Sequence, residues 1–429
     1  MPRLLVSLVV LFAIPWTAFA LEPSKDWPQW RGPLRDNKSS YVGINKDWAA
    51  QPPQLLWKTS GLGKGYASVS VQGDRLYTTG NTGSGQAVIA VNLADRSVAW
   101  TKTLTTSDPR HGWDGSRCTP TVDGDRLYVV TSNGSIACLE TAGGDIVWQR
   151  DFRDWDGRMM SGWGFSESPL IDGDRLLCTP GSHTAMMVCL NKSDGSEIWK
   201  SAVDDFGSVG KRGAGYSSIV ISEGAGVKQY VQLIGRGLIG IRASDGKLLW
   251  TYNRIANNTA NIPTPIVAGN YVFTASGYDI GGSALVELSK TEDGVKADEV
   301  YYYGARELQN HHGQMVLVGE NLYFGHGHGR GYPVCVDLPS GKILWNAQSQ
   351  SRNIGSGSAA ITYVDGYVIF RYESGPVALI EANPKEFTFK GAFTPDEVNG
   401  KAWAHPVVVA GKLYLRDQDT LMCYDIAAK

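Results

Sequence analysis

The sequence predicts an all-β fold: an eight-bladed β-propeller of four-stranded antiparallel blades, its ring closed by an amino-terminal strand that completes the last blade. Three observations predict it. One strand-turn-strand unit ending in an aromatic residue recurs along the chain. Its turn glycines number eight. The last unit lacks a final strand, and a segment near the amino end has the form of that strand.

The unit is most complete from Thr119 to Trp148, as an apolar strand, Gly-Asp-Arg-Leu-Tyr, an Ala-Cys-Leu strand, a Gly turn and Trp. Val69 to Trp100 and Ser168 to Trp199 repeat it. The register glycines are Gly73, Gly124, Gly173, Gly226, Gly269, Gly319, Gly366 and Gly411, and the closing aromatics are Trp100, Trp148, Trp199, Trp250, Tyr303, Trp345 and Phe389. Successive closing residues lie about 42 to 53 positions apart, room for four short strands. The eighth unit, from His405 past Gly411 and Tyr414, ends at Lys429 without its outer strand, and Leu55-Leu56-Trp57-Lys58 has the form of Leu248-Leu249-Trp250. Pairing first strand to last leaves no open sheet edge. Trp57, Trp100, Trp148, Trp199, Trp250 and Trp345 are therefore read as structural rings wedged between blades.

Ahead of the ring, Met1-Pro2-Arg3, an apolar run from Leu4 to Ile14 and Ala18-Phe19-Ala20 read as a secretory leader, residues 1–20, cleaved after Ala20. The run is too short to span a membrane, and no later segment qualifies, so no transmembrane segment is expected in the mature chain. A periplasmic or secreted location follows. Residues 21–54 read as an amino-terminal arm, and residues 55–429 as a single propeller domain. A formal net charge of −2 gives no basic stripe, which argues against a nucleic-acid partner.

Ala243-Ser244-Asp245-Gly246-Lys247-Leu248-Leu249-Trp250 and Asp337-Leu338-Pro339-Ser340-Gly341-Lys342-Ile343-Leu344-Trp345 carry a small residue, an acid, a Gly turn and a docking Trp. In this they resemble the PQQ-like repeat family, from about Trp57 to Lys429. Asp26-Trp27-Pro28-Gln29-Trp30-Arg31-Gly32-Pro33 is similar to the leader of many exported bacterial proteins with these repeats. The resemblance implies one of two branches. Quinoprotein dehydrogenases bind pyrroloquinoline quinone (PQQ) with calcium on the propeller axis, and their better-known forms carry an adjacent Cys-Cys disulfide. The chain has neither a Cys-Cys pair nor a Cys-x-x-Cys-His haem site. BamB-like members are non-catalytic propellers that dock other proteins during outer-membrane assembly; they are lipoproteins, whereas no cysteine follows the cleavage site here.

Six cysteines in an exported chain invite disulfides, but Cys138, Cys189, Cys335 and Cys423 occupy one equivalent position in four blades, too far apart to bond. Only Cys118 and Cys178 remain as a pairing. If the first strand of each blade enters from the top, the Gly-Asp turns lie below, and the long connections such as Thr101 to Arg117, Gln149 to Glu167 and Lys200 to Tyr216 lie above. Binding residues concentrate on such loops. The candidates for this top funnel are Lys64, Tyr66, Arg117, Trp163, Glu167, Arg212, Tyr216, Asn261, His311, His312, Trp403 and His405. Trp27 and Trp30 are expected to pack the arm on the ring. His311, His312, His326 and His328 gather in the sixth unit and are candidate metal ligands, imidazoles suiting Zn, Cu, Ni or Fe. Gly164-Phe165-Ser166-Glu167-Ser168 precedes a strand and is not a nucleophile elbow.

These readings converge on a monomeric, non-enzymatic binding or scaffold propeller of the cell envelope, without catalytic residues or cofactor, engaging a protein or polymer through its top loops. The alternative is a PQQ-dependent oxidoreductase in which a cation polarises the quinone and a carboxylate such as Glu167 removes the substrate proton.

Overall fold

The computed structural model describes residues 25–292 and 294–429, so the predicted leader at 1–20 lies outside the described residues. Eight antiparallel sheets of four strands form the propeller. Blade 2 is typical: Thr121–Asp123, Arg126–Val130, Ser135–Glu140 and Ile146–Asp151 run from the axis outward. The innermost strands of blades 1 and 3 to 8 begin at Ser70, Leu170, Val220, Ile266, Met315, Ala359 and Val407. Among the described residues the helical content is two short 3-10 turns, Phe152–Trp155 and Gly224–Gly226. None of their helices is long and apolar enough to cross a membrane.

Ring closure takes the expected form. Gln54–Thr59 pairs antiparallel with Thr420–Asp425 as the outer strand of blade 8, Trp57 opposite Cys423 and 6.1 Å from the Tyr414 ring. All eight register glycines adopt positive φ, between 59° and 86°. Seven of them have no atom within 4 Å of where a Cβ would stand, so the backbone conformation, not crowding, calls for glycine there.

The outer rings dock by a repeated rule. The Trp100 Nε1–H donates to the Thr141 carbonyl of blade 2 at 3.1 Å, and the ring covers Gly144; Trp148 does the same to Lys192 at 3.0 Å and Gly195 of blade 3. The Trp100, Trp148 and Trp199 rings thus lie on the last turn of the next blade, where a glycine leaves room for them, Gly246 in the case of Trp199; Trp345 donates to the Asn383 carbonyl of a turn without glycine, and Trp250 instead donates to Gln229 Oε1 and packs on Gly240 within its own blade. The four cysteines Cys138, Cys189, Cys335 and Cys423 stand in register with Trp148, Trp199, Trp345 and Trp57, one per blade. All six cysteines are buried free thiols, so Cys118 and Cys178 do not bond.

Two closing positions differ from the sequence reading. In blade 5 the bulge that precedes the docking residue puts Tyr301, not Tyr303, at the Trp position; its hydroxyl donates to the Leu338 carbonyl at 2.9 Å and its ring covers Gly341. In blade 7 Phe389 is on the wrong side of the bulge and exposed, and Gly391 takes the position. The arm supplies the missing ring. Ala49 N–H donates to the Lys390 carbonyl at 2.9 Å, a Cβ on Gly391 would strike Ala49 N at 2.2 Å, and Trp48 is buried among Leu379, Leu413 and Tyr424 between blades 7 and 8.

The arm also closes the axial channel from below. Trp27 bridges Val71 of blade 1, and the Pro28 carbonyl accepts from Val122 N–H of blade 2 at 2.7 Å. Arg35 donates to the Ser168 and Pro169 carbonyls of blade 3, Arg31 to Met315 of blade 6 at 3.1 Å, and Lys38–Ser39 pairs parallel with blade 7. Buried backbone oxygens facing the axis acquire donors in this way, as burial demands.

Candidate functional site

With the lower mouth plugged, the channel becomes a blind cavity of about 380 Å³ that opens on the top face. Its wall is a continuous run of rings. Tyr66 lies 4.7 Å from Trp403, Trp403 5.4 Å from Trp113 and 5.0 Å from His312, His312 4.2 Å from His311, His311 4.2 Å from His328, and His328 4.7 Å from Tyr278. Trp163 and Tyr216 continue the wall at 5.9 Å. Trp30 rises from the arm and meets His405 edge-on, so both line the cavity.

Eight of the twelve funnel candidates line this cavity: Tyr66, Arg117, Trp163, Tyr216, His311, His312, Trp403 and His405. The other four do not. Glu167 and Asn261 fail by one position, because the chain there is extended and alternates: Ser166 and Ser168, and Ala260 and Ile262, face the cavity while the residue between points into the blade. Glu167 accepts from the Thr179 hydroxyl at 2.7 Å and Gln232 Nε2 at 3.2 Å, and Asn261 Nδ2 donates to the Ile234 and Gly235 carbonyls. Arg212 is exposed and pairs with Asp205. Lys64 sits outside the cavity, in a depression of the rim shared with Tyr66 and Trp113.

Trp30, Trp113, Tyr278, His328, Glu373 and Lys401 also line the cavity and were not among the funnel candidates. Tyr278, His328 and Glu373 stand in turns between second and third strands, which reach the top face as the long loops do. That topological rule was the available signal. Trp30 arrives through the arm, and no repeat pattern points to it.

The cavity is low in free charge. Glu373 is held by Lys401, Oε1 to Nζ 2.6 Å, and although burial pushes its pKa up, this bond and charge outweigh burial and keep it below the usual value. Burial, and then neighbouring imidazoles, push His311 down to about 2 and His312 down to about 3, so both are neutral. His312 stands 3.9 Å from Glu373 as a neutral ring, not as an ion-pair partner. His405 falls to about 3, from burial and then the Arg31 charge. The Arg117 guanidinium donates to the Gly112, Trp113 and Gly115 carbonyls and lies 5.6 Å over Tyr66, a cation without an ion-pair partner among the described residues.

Five buried ring nitrogens of the lining residues, Trp30 Nε1, His311 Nε2, His312 Nε2, Trp403 Nε1 and His405 Nδ1, have no hydrogen-bond partner among the described residues. The four metal candidates do not form a ligand set. His311, His312 and His328 stack through their rings, and His326 points away, its Nδ1 accepting from Gln309 N–H at 3.1 Å. Among the described residues no three His, Cys, Asp or Glu side chains converge as metal ligands. Calcium takes roughly six to eight oxygen ligands. The lining offers one carboxylate, Glu373, already committed to Lys401, so this donor set does not fit a calcium–quinone pair.

Fold and cavity together define a closed eight-bladed propeller with an aromatic axial cavity. Residues 46–154 and 84–347 match the family model described as outer membrane protein assembly factor BamB, and the chain belongs to that family. Among solved structures it is similar to BamB from Moraxella catarrhalis, at 14% identity and a TM-score of 0.59, covering 87% of this chain and 97% of that one. It is also similar to a europium-containing methanol dehydrogenase, at 12% identity and a TM-score of 0.65, covering 92% and 90%. A third is quinohemoprotein alcohol dehydrogenase from Comamonas testosteroni, at 12% and 0.67, covering 96% and 82%. At these identities the likeness concerns the fold. No curated protein matches the sequence.

Proposed function

We propose that the chain is a non-enzymatic binding propeller of the cell envelope, acting in the periplasm or an equivalent exported compartment, that engages a protein or polymer through its top loops. The observation that carries this reading is the set of unpartnered ring nitrogens in an aromatic wall. Buried polar groups without partners are costly and rare, and a ligand segment bearing backbone amides or hydroxyls would satisfy them. Chemistry would ask for something else. A general base needs a carboxylate or imidazole poised near the working pH, whereas Glu373 is ion-paired and His311 and His312 stay neutral far below it.

The family match supports the same reading, since BamB is described as an assembly factor. The test is affinity capture from a solubilised native envelope, comparing the wild type with Trp403→Ala and with His312→Ala. A partner retained by the wild type and lost by both variants, each still folded, supports the proposal. A partner retained equally by all three removes the axial cavity from the binding site.

A further inference from the structure

A second hollow, of about 670 Å³, opens on the same face outside the axial cavity, between blades 5, 6 and 7. Arg306 reaches it from the loop after blade 5, Arg330 from the turn between the second and third strands of blade 6, and Arg352 from the loop after blade 6. None of the three guanidiniums has a hydrogen bond or ion pair among the described residues. Of the other exposed arginines, Arg212 pairs with Asp205 and Arg254 with Glu299, whereas Arg96, Arg110 and Arg158 also lack a side-chain partner among the described residues; what sets Arg306, Arg330 and Arg352 apart is that all three line one hollow. The carboxylate nearest in sequence, Glu307, accepts from Gly304 N–H and does not line the hollow.

The floor adds a neutral donor. His326 is buried, and its Nδ1 accepts from Gln309 N–H, which leaves the ring hydrogen on Nε2. Three like charges gathered without a counter-charge repel one another and raise the local potential, in a chain whose formal net charge is −2. Guanidinium forks from three separate loops surround a tetrahedral oxyanion better than a flat carboxylate, which offers only two oxygens.

We propose that this hollow binds a phosphoryl group, with Arg306, Arg330 and Arg352 donating to its oxygens and His326 Nε2–H supporting it from the floor. The group is carried either by free phosphate or by a lipid headgroup at the membrane surface. The hollow is independent of the axial site, although the turn from His326 to Gly331 is the wall between them, presenting His328 to one side and His326 to the other.

The full chain is titrated with inorganic phosphate at low ionic strength by calorimetry, and floated with phosphatidylcholine vesicles with and without phosphatidate. Arg306→Gln with Arg352→Gln is expected to weaken phosphate or phosphatidate binding at least about thirtyfold, from two lost charge-assisted contacts. Arg212→Gln and Trp403→Ala are expected to leave it unchanged. Saturable phosphate binding identifies a soluble source, and binding seen only on phosphatidate vesicles identifies the headgroup. Neither ligand binding the wild type, or the double variant binding as well as the wild type, would overturn the proposal. So would loss in Trp403→Ala alone, because that places the anion in the axial cavity.

Discussion

The Trp30 ring of the amino-terminal arm meets His405, at the entry to the inner strand of blade 8, with centroids 4.6 Å apart and planes at 75°. A residue outside every repeat therefore forms the floor of the cavity that the repeats surround. The next residue, Arg31, is buried without an ion-pair partner among the described residues, and its charge adds to burial in holding His405 neutral. Replacing Arg31 by Met is expected to raise the pH at which His405 protonates, read by NMR of the imidazole. The Met315 carbonyl would lose its donor, at a cost of roughly 1 to 3 kcal/mol in a urea melt.

The docking rule predicts the effect of losing one outer ring. Trp148→Ala removes a ring from the Gly195 turn and its bond to Lys192, and should cost roughly 3 to 5 kcal/mol. An unchanged melting temperature would contradict the blade register.

Blade 7 offers a sharper comparison between two glycines. Gly391→Ala puts a methyl group 2.2 Å from Ala49 N and must displace the Trp48 segment, whereas Gly173→Ala, at φ 62° with open space, bears only the left-handed backbone penalty of roughly 1 to 2 kcal/mol. Denaturant titration should find Gly391→Ala the more damaging by a clear margin. Equal losses would mean that Trp48 does not take the place of the missing ring.

The pH dependence of stability combines opposite contributions. Burial pushes Glu167 up to about 7 from an ordinary 4.5, so its stabilising effect is full below about 4.5 and is lost as pH rises toward 7. His311, His312 and His405 are pushed down from 6.5 to about 2, 3 and 3, so their effect is full above 6.5 and is lost as pH falls. Near pH 5 these four groups should together take up roughly two protons on unfolding, close to three by the imidazoles against about one released by Glu167. Glu167→Gln removes the release, so its urea midpoint should fall more steeply with acid than that of the wild type. A shallower fall would contradict the assignment.

The blades were legible because each carries its own signal, a turn glycine and a docking ring whose spacing survives sequence drift. Where a blade departs from that signal, the spacing misleads: Tyr303 for Tyr301, and Phe389 for Gly391 with Trp48. Spacing alone does not show a bulge, nor a ring supplied from another segment. At the site, choosing the residues just before each inner strand captured Trp403 and His405 but also took in Glu167 and Asn261, since an extended chain sends alternate side chains to opposite sides and the phase was unknown. Lys401 and Glu373 come from different loops of the top face, and their pairing is a product of ring closure that no local pattern encodes.

We propose that the axial cavity binds without catalysing. Purified protein is titrated with PQQ and calcium while tryptophan fluorescence and the reduction of an artificial dye by alcohols or sugars are followed. With Trp30, Trp113, Trp163 and Trp403 all in the wall, occupancy would register in the fluorescence. No dye reduction is expected at any quinone or calcium concentration. Saturable quinone binding accompanied by substrate-dependent turnover would contradict it.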